Sequence, residues 1–334
     1  MKNQITLSQA VQGYFLDTRS RKLSVRTIAD YKTYFQRFQD YIDGDPCIDT
    51  ITTDDIRRFL AHLGDHITTP AGVAPRPSRK LSKKTIRNYW VGLASLWTWA
   101  VKDGFVDHHI VRAVTPPEPE KPAIEPFTKA DVKAMLATIE YSKPYTRPGK
   151  RECTHTRQTA IRDRAIILLL LDTGARASEI CADSKRDNKP GLSIQKIDQR
   201  NLTIKVIGKG DKERILRISP NTAKAIWRYL TSRPDAKSTD PLFLSVRGDP
   251  FTTNGLLHLI KRLGKRAGIH NAYPHRFRHT FAVNFLRNGG NAIELQYMLG
   301  HTSLEMVRRY VKLAQVDLEA AHKRASPVAN WNLR

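Results

Sequence analysis

The sequence predicts a mainly α-helical protein with one small antiparallel β-sheet, divided into two domains. Apolar residues recur at helical spacing through most of the chain, which is typical of helices packed around a core. The segment 201–219 instead alternates between apolar and polar residues around a Gly-Lys-Gly turn, as a β-hairpin does. A proline-rich stretch at 116–122 breaks both patterns and predicts a semi-rigid linker between the two domains.

Four helices are predicted in the first domain, which is therefore expected to be a small helical bundle. Ser24, Thr53 and Ser82 are placed as N-cap residues, because their side-chain oxygens can accept a hydrogen bond from the first turn. Gly104 closes the last helix. The predicted helices are Leu7–Thr18, Val25–Ile42, Asp54–Leu63 and Lys83–Lys102.

The second domain is predicted to combine further helices with the hairpin. An apolar helix with its core at Ala165–Leu171 ends at Gly174, and Arg176 follows in the turn before the next helix. Lys209 lies in the glycine-flanked turn of the hairpin. The other predicted elements are a helix capped by Thr128 that runs to Ile139, a helix from Asn221 to Leu230, a short strand or edge at Pro241–Leu244 and a helix from Asn254 to Ala267.

Three more short helices are predicted in the stretch 275–310. A Gly-Gly pair and Gly300 end the first two, since glycine accepts the left-handed conformation that closes a helix. Asn291 caps the second helix, and Thr302 with Glu305 forms a capping box for the third. The joins and the last helix are expected to present four side chains: His275, Arg278, His301 and Tyr310.

Composition and charge limit the classes of function. The chain has 334 residues, enough for two domains with cores, and a net charge of +24. Residues 1–120 carry 17 Lys and Arg against 13 Asp and Glu, whereas residues 121–334 carry 39 against 19. This excess indicates a polyanionic partner that is attracted mainly by the second domain.

Several classes of protein are disfavoured. No apolar run is long enough to span a bilayer, and the first ten residues lack the apolar stretch of a secretion signal, so a membrane partner is not expected. Cys47, Cys153 and Cys181 are too few and too scattered for a disulfide framework or a zinc ribbon. A cytoplasmic, reducing location is expected.

The candidate residues suit phosphoryl chemistry. A tyrosine, two histidines and an arginine near one another could supply a nucleophile, proton carriers and charge compensation. Arg176 precedes a helix N-terminus, where a guanidinium fork and backbone amides could hold a phosphate, and Lys209 could swing toward a substrate. Taken singly, however, Tyr310 could be a core tyrosine and each basic residue a solvated surface charge.

The histidines allow a second interpretation. His275 and His279 are four residues apart, the spacing of helical zinc ligands, and His301 could be a third ligand. Against zinc, no carboxylate or cysteine nearby completes a ligand shell, and Arg278 would bring positive charge beside the metal. We therefore expect no metal, and a structural role for His279.

Four motifs occur in one order along the chain, and together they resemble the tyrosine site-specific recombinases, the phage integrase family. TGARASE contains Arg176 followed by the acidic Glu179, and GKGDKER contains Lys209. HRFRH is similar to the family's His-x-x-Arg box, and LGHTSLEMVRRY places a histidine and a tyrosine at the family's separation. The family's catalytic positions therefore correspond to Arg176, Lys209, His275, Arg278, His301 and Tyr310.

The resemblance implies a fold and domain boundaries. Residues 1–115 would be a helical, SAM-like core-binding domain that clamps DNA, 116–124 the proline-rich linker, and 125–334 a mixed α+β catalytic domain with a C-terminal helix and tail. The basic segments then become candidates for contact with the DNA backbone. These candidates are Arg76, Arg79, Lys80, Lys83, Lys84, Arg87, Lys150, Arg151, Lys261, Arg262, Lys265 and Arg266.

The resemblance also implies an activity that needs neither metal, cofactor nor ATP. Tyr310 would attack a phosphodiester of double-stranded DNA at a specific site and form a 3′-phosphotyrosyl intermediate. Arg176 and Arg278 would clamp the phosphate, and His301 would donate a hydrogen bond to it. Lys209 would protonate the leaving 5′ oxygen. The remaining implied roles are acceptance or relay of the tyrosine proton by His275 and orientation of neighbouring groups by Glu179.

The expected assembly is a homotetramer on synapsed DNA with exchanged C-terminal tails, as the family resemblance implies. An accessory DNA-bending or directionality factor is left open, as is the choice between integration, excision, resolution and inversion. Three rivals are a type IB topoisomerase with the same chemistry, a DNA-binding regulator that has lost catalysis, and a zinc hydrolase. The intact set of six residues disfavours the regulator.

Overall fold

The computed structural model divides the chain into two compact units, residues 1–122 and 123–334. Each unit has its own apolar core. The residues that the structure describes are 4–21, 23–65, 80–120, 123–141, 154–183, 190–208, 212–301, 303–314, 322 and 326–331.

The first unit contains four α-helices in its described ranges, and hydroxyl groups cap the starts of all four. Thr6 and Gln9 form a capping box, and Ser24 and Ser82 accept hydrogen bonds from the amides of Thr27 and Thr85. The helices are α1 (Leu7–Ser20), α2 (Val25–Tyr41), α3 (Thr53–Asp65) and α4 (Lys83–Lys102).

The cap of α3 is Thr52, one residue before the predicted Thr53. The Thr52 hydroxyl accepts a hydrogen bond from the amide of Asp55, and the Asp55 carboxylate accepts one from the amide of Thr52. From the sequence alone, Thr52 and Thr53 are equally suitable caps. The reciprocal hydrogen bonds with Asp55 make Thr52 the cap.

Aromatic residues fill the core of the first unit. Tyr14, Phe35, Phe38, Phe59 and Trp97 are each at most 1% exposed, and several of their rings meet edge to face. Burying a side chain of this size contributes about 2 to 3 kcal/mol relative to exposure. The helical faces that carry these rings therefore serve the fold of the bundle.

The second unit contains helices and one three-stranded sheet. Its described helices are α5 (Lys129–Glu140), α6 (Ala160–Thr173), α7 (Ala177–Ile180), α8 (Pro220–Thr231), α9 (Thr253–Arg266), α10 (Pro274–Arg287), α11 (Ala292–Leu299), α12 (Glu305–Ala314) and α13 (Pro327–Asn330). The strands are β1 (Ile197–Asp198), β2 (Thr203–Ile207) and β3 (Glu213–Arg217).

The sheet is antiparallel in the order β1-β2-β3, so the predicted hairpin is present and has gained a short third strand. In its register Ile204 lies opposite Leu216 and Val206 opposite Arg214. Ile204, Val206 and Leu216 are almost fully buried. Because side chains alternate across a strand, the register turns Arg214 to the same inner face as Leu216.

The predicted strand or edge at 241–244 is not a strand. Pro241 and Leu244 make isolated bridges to Ser193 and Pro250, and no strand is assigned between them in this described part of the chain. Proline has no amide hydrogen to donate to a ladder, which leaves this segment as a bridged loop.

Several predicted helix starts are one residue late, because the true caps lie further upstream. Ser219 caps α8, which begins at Pro220, and Thr252 caps α9, which begins at Thr253. The predicted cap of α11 is confirmed, since Asn291 is the N-cap and forms a capping box with Glu294. The predicted box of Thr302 with Glu305 involves a residue outside those described.

Two left-handed glycines end the helices that lead into the candidate residues. Gly174 closes α6 with φ +60°, and Gly300 closes α11 with φ +63°. The interior of α6 is buried as predicted, for Ile166, Ile167 and Leu170 have no exposed surface. The chain therefore leaves a fixed core helix immediately before Arg176.

None of the helices in the described ranges combines the length and apolar character that crossing a membrane requires.

Gly174 is expected to tolerate alanine less well than Gly268, which shares its positive φ. Gly268→Ala should lower the free energy of unfolding by about 1 to 2 kcal/mol, because alanine is strained in the left-handed region. At Gly174 the added methyl group would also lie 2.7 Å from the Phe281 ring, whereas nothing lies within 4 Å at Gly268. Overpacking should add about 1 to 3 kcal/mol for Gly174→Ala. Urea unfolding followed by circular dichroism measures both changes, and equal losses would contradict the packing argument.

Candidate active site

Three arginines converge on the carboxyl end of α11. The last carbonyls of a helix have no partner inside the helix, so they accept bonds from elsewhere. Arg214 Nε donates to the Met298 carbonyl at 3.1 Å, and Arg278 Nη2 donates to the Leu299 carbonyl at 2.6 Å. Arg176 Nη2 donates to the Gly300 carbonyl at 3.3 Å. Three consecutive carbonyls thereby hold guanidinium groups from three separate segments of the chain.

Glu179 is the carboxylate that joins two of these arginines. Its oxygens accept bonds from Arg214 Nη1 and Nη2 at 2.6 and 2.7 Å. They also accept bonds from the backbone amide and Nη1 of Arg176 at 2.7 and 3.0 Å. Burial opposes ionisation of Glu179, but the hydrogen bonds and charges of Arg214 and Arg176 outweigh it and lower its pKa. Glu179 is therefore ionised, and it holds the guanidinium groups of Arg214 and Arg176 in position.

Arg278 is a buried cation, only 1% exposed. Besides the Leu299 carbonyl, it donates from Nη1 to the carbonyl of Gly174 at 3.0 Å. Burial foremost, and then the charge of Arg176, lower its pKa to about 9, which leaves the guanidinium charged at neutral pH. Its Nε is buried and has no hydrogen-bond partner among the described groups. An uncompensated buried donor of this kind favours an anionic ligand.

Tyr310 lies inside the same cluster, on α12. It is 4% exposed, and its hydroxyl is 2.9 Å from Nδ1 of His279. The ring of His301 lies parallel to the tyrosine ring, with 6.2 Å between centroids. Burial raises the pKa of Tyr310, while the charges of Arg278, Arg309 and Arg176 act in the opposite direction. The phenol is therefore protonated at neutral pH and lies in a field of cations.

Two histidines, His279 and His301, contact this tyrosine, and His275 contacts His279. Burial foremost lowers the pKa of His279 to about 4 and that of His301 to about 3. Desolvation and the charges of Arg278 and Arg176 lower the pKa of His275 to about 4, although this side chain is the exposed member of the three. All three rings are neutral at pH 7, so each has one N–H group and one lone pair. Nδ1 of His301 is buried and has no partner among the described groups.

The structure brings five of the six predicted catalytic residues together: Arg176, His275, Arg278, His301 and Tyr310. The sixth, Lys209, lies outside the described residues. The adjacent Gly208 is described, and its amide donates to the carbonyl of Lys212. A methyl group added at Gly208 would lie 3.2 Å from Arg214 Nη1, so the base of the hairpin turn adjoins the arginine cluster.

Three expectations about exposure need correction. Arg278, His301 and Tyr310 were expected to be presented at helix joins, yet they are buried, because the carbonyls at the end of α11 and the ring of His279 enclose them. The structural role expected of His279 stays a prediction, and its Nδ1 lies 2.9 Å from the hydroxyl of Tyr310. His275 is exposed as expected.

Arg214 is the site residue that the sequence analysis did not identify. It stands in the same GKGDKER segment as Lys209. Charged and apolar residues are mixed along this hairpin, so the sequence alone does not show which alternate set of side chains faces the core. The hairpin register was the missing information. Once β2 and β3 are paired, Arg214 faces inward as a cation that requires a carboxylate partner.

The zinc interpretation finds no support in the arrangement of side chains. Among the described residues, no three His, Cys, Asp or Glu side chains come together in a way that could hold a metal ion. His275 and His279 meet with perpendicular rings whose centroids are 4.7 Å apart, and Nδ1 of His279 already bonds Tyr310.

The candidate DNA contacts are distributed over both units. Lys80, Lys83, Lys84 and Arg87 are exposed at the start of α4 and just before it, in the first unit. On α9 of the second unit, Lys261, Arg262 and Lys265 are exposed, whereas Arg266 is half-buried and donates to the carbonyl of Tyr141. The other candidates lie outside the described residues: Arg76, Arg79, Lys150 and Arg151.

Two family models match the chain. The model described as the phage integrase family matches residues 127–316, and the model described as the phage integrase SAM-like domain matches residues 10–115. The matched segments correspond to the second and first units respectively.

Similar proteins extend over almost the whole chain. Tyrosine recombinase XerC of Staphylococcus epidermidis is 28% identical over 313 residues, which cover 92% of this chain and 94% of that protein. Tyrosine recombinase XerD of Pseudomonas aeruginosa is 28% identical over 330 residues, which cover 96% of this chain and 99% of that protein.

Two solved structures share the fold. The integrase of transposon Tn1549, in complex with a circular intermediate DNA, matches with a TM-score of 0.68 at 20% identity, covering 93% of this chain and 99% of that one. A lambda integrase dimer bound to a COC′ core site matches with a TM-score of 0.66 at 17% identity, covering 92% of this chain and 77% of that one. The expected fold, a helical SAM-like domain followed by a mixed α+β catalytic domain, is confirmed.

Replacing Arg214 by methionine should lower the free energy of unfolding by on the order of 3 kcal/mol, because it leaves a buried carboxylate with one partner fewer. The loss should be full above the ordinary glutamate pKa of about 4.5 and shrink as pH falls through the lowered pKa of Glu179. Below that pKa the carboxyl is neutral in both proteins and needs no counter-charge. Urea unfolding at pH 7 and below pH 4 measures the difference.

The control for R214M is Arg308→Met, which removes an exposed ion pair with Glu305. Exposed pairs of this kind contribute little, so no measurable change is expected. A loss at Arg214 that does not vary with pH would mean that packing, and not the charge of Glu179, accounts for it.

Proposed function

The chain belongs to the phage integrase family, the tyrosine site-specific recombinases, and from that premise we propose how its side chains cut and rejoin DNA. Its activity is cleavage and religation of DNA strands. The observation that carries the assignment of residues is the buried position of Tyr310 beside the arginine cluster. Its ring lies parallel to that of His301, which follows Gly300, and the Gly300 carbonyl accepts a bond from Arg176. The charges of Arg278 and Arg176 also lower the pKa of the phenol against the effect of burial. A nucleophile within a cluster of guanidinium groups is suited to attack on a phosphodiester.

Tyr310 is the proposed nucleophile. Its phenolic oxygen attacks the phosphorus, the P–O5′ bond breaks, and a 3′-phosphotyrosyl link remains. The covalent link conserves the free energy of the broken bond, so a new 5′ hydroxyl can restore the phosphodiester without ATP. Neither a metal ion nor a cofactor is assigned a role, because two arginines supply the charge compensation that a metal supplies in other phosphoryl transfer reactions.

Arg176 and Arg278 are the proposed phosphate clamp. The carbonyls of Gly174, Leu299 and Gly300 hold their guanidinium groups in position without DNA. A clamp that is already in position loses little side-chain entropy when the phosphate arrives. Nε of Arg278 and Nδ1 of His301, which have no hydrogen-bond partner within the described part of the chain, support this role. The Arg278 Nε–H can donate to a phosphate oxygen, and His301 can do so from Nδ1 when that nitrogen carries the ring hydrogen.

The remaining roles follow from the chemistry of each group. Lys209 protonates the leaving 5′ oxygen, and His301 donates a hydrogen bond to a phosphate oxygen. His275, whose ring meets that of His279, relays the tyrosine proton, with His279 between it and Tyr310. Glu179 orients Arg176 through two bonds and touches no substrate.

We propose that α9 and the start of α4 contact the DNA backbone. Lys261, Arg262 and Lys265 are exposed on one helix, and exposed lysines or arginines neutralise phosphates without reading sequence. Arg266 is the weaker candidate, because its guanidinium group is already bonded to the Tyr141 carbonyl.

The proposed active assembly is a homotetramer that holds two duplexes and exchanges C-terminal tails. The short helix α13 supports an exchanged tail, since Val328 is 59% exposed and Trp331 beside it 70% exposed. Apolar side chains so exposed favour a partner surface.

An accessory DNA-bending or directionality factor belongs to the same proposal. A cytoplasmic location is also proposed, because it suits the free thiols of Cys47 and Cys181.

A type IB topoisomerase and an inactive regulator are not favoured. The similar proteins are tyrosine recombinases and integrases. Five of the six proposed catalytic residues also lie in one cluster. Relaxation of any supercoiled plasmid without site preference would favour the topoisomerase.

Tyr310→Phe should abolish cleavage and leave DNA binding within about twofold, because the change removes only the nucleophilic hydroxyl, whose hydrogen bond is to His279 within the protein. The measurement is covalent capture of a nicked suicide substrate carrying the sites that flank the native gene, with a gel-shift titration for affinity. Tyr297→Phe is the control, since Tyr297 is 76% exposed on α11, and it should form the adduct at the wild-type rate. A covalent adduct with Y310F would refute the assignment of the nucleophile.

Lys261→Gln should weaken DNA binding at all sequences and reduce the slope of log K against log salt by about 1, the change expected for one lost phosphate contact. Lys224→Gln is the control, because Lys224 is exposed on α8, which is not a proposed contact surface. Titration at several salt concentrations measures both slopes. An unchanged slope for K261Q would show that the α9 face is only solvated.

A further inference from the structure

His279 is the group that touches the reacting oxygen of Tyr310. It lies one turn beyond His275 on α10, and its Nδ1 is 2.9 Å from the Tyr310 hydroxyl, within hydrogen-bonding distance. The two rings are inclined by 48°, with 5.6 Å between centroids. No other hydrogen bond of the phenol is recorded within the described part of the chain.

The surroundings of His279 favour a ring that accepts the phenol hydrogen. The groups that face it are His275 and Arg278 on its own helix and Arg309 and Tyr310 on α12. Burial and the cations among them keep the imidazole neutral, so it carries one N–H. A protonated phenol has one hydrogen to donate, and Nδ1 can accept it when the ring hydrogen is on Nε2.

We propose that His279 is the general base of strand cleavage. The inference rests on Tyr310 being the nucleophile. As the phenolic oxygen forms its bond to phosphorus, its proton moves to the Nδ1 lone pair and the ring becomes an imidazolium. The P–O5′ bond breaks, and the electron pair stays on the 5′ oxygen, which takes a proton from the general acid.

Religation runs the same path in reverse. The incoming 5′ hydroxyl gives its proton to the acid residue and bonds to phosphorus, the bond between tyrosine and phosphorus breaks, and His279 returns its proton to the phenolate. No proton is gained or lost over the cycle. The approaching phosphate stabilises the transient imidazolium, because an anion beside a histidine favours its charged form.

His279→Asn is the decisive variant, since its amide can occupy the place of Nδ1 and keep a hydrogen bond while having no basicity near neutral pH. General base catalysis contributes about 10² to 10⁴ in rate, so H279N should form the adduct at least about 100-fold more slowly. DNA affinity and the unfolding midpoint should stay at wild-type values. His108→Asn, at an exposed histidine of the first unit, is the matched control. Cleavage by H279N at the wild-type rate would overturn the proposal.

Two chemical changes separate a base from a residue that merely holds the tyrosine in place. A ring-fluorinated tyrosine at position 310 has a more acidic phenol and needs the base less, so the ratio of wild-type to H279N rates should fall by about tenfold or more. A substrate whose bridging 5′ oxygen is replaced by sulfur does not need the general acid, and it should not rescue H279N. A ratio unaffected by fluorination, or rescue by sulfur, would overturn the assignment.

A measurement on the wild-type protein covers the case in which H279N does not fold. Selective ¹⁵N labelling of histidine reports which ring nitrogen of His279 carries the hydrogen. The proposal requires hydrogen on Nε2, and hydrogen on Nδ1 would overturn it. These outcomes are distinct from failure of the proposed function, which would appear as an adduct formed by Y310F whatever His279 does.

Discussion

The end of α11 is the constraint on which the rest of the catalytic unit depends. Its carbonyls at 298, 299 and 300 accept bonds from Arg214, Arg278 and Arg176, which come from the sheet, from α10 and from the turn after α6. Each of these elements is fixed by its own core contacts, so the helix end joins parts that the chain order keeps far apart. A helix C-terminus carries partial negative charge, which suits it to holding cations in a buried place.

Charge decides what this arrangement can bind. Three guanidinium groups face one carboxylate, that of Glu179, and the helix end offsets only part of the excess. The remaining positive charge favours an anionic ligand such as a phosphate. Because backbone carbonyls and Glu179 hold the arginines in position, the cluster does not have to assemble when DNA arrives. Tyr310 lies beside this cluster in contact with His279 and His301.

Much of this could be read from the sequence, because the signals were local. Left-handed glycines at 174 and 300 and the cap at Asn291 gave the helix ends, and the order of motifs gave five residues that the structure brings together. What could not be read depended on distant partners. Arg214 required the strand register, and the contact of His279 with Tyr310 required the packing of α12 against α10. The burial of Arg278 depended on carbonyls more than twenty residues away, one of them at Gly174. Periodicity reports which face of an element is apolar, but not which polar group another element places there.

Anchoring by backbone atoms separates the geometry of the arginines from the identity of the side chains beside them. The Met298 carbonyl holds Arg214, while the Met298 side chain is half-buried and makes no part of that bond. Gly300 has less freedom, since its positive φ and the approach of Arg214 both disfavour a larger residue. Natural drift or deliberate redesign can therefore change position 298 to suit a new neighbour or target without disturbing the guanidinium groups, whereas position 300 is fixed by the same helix end.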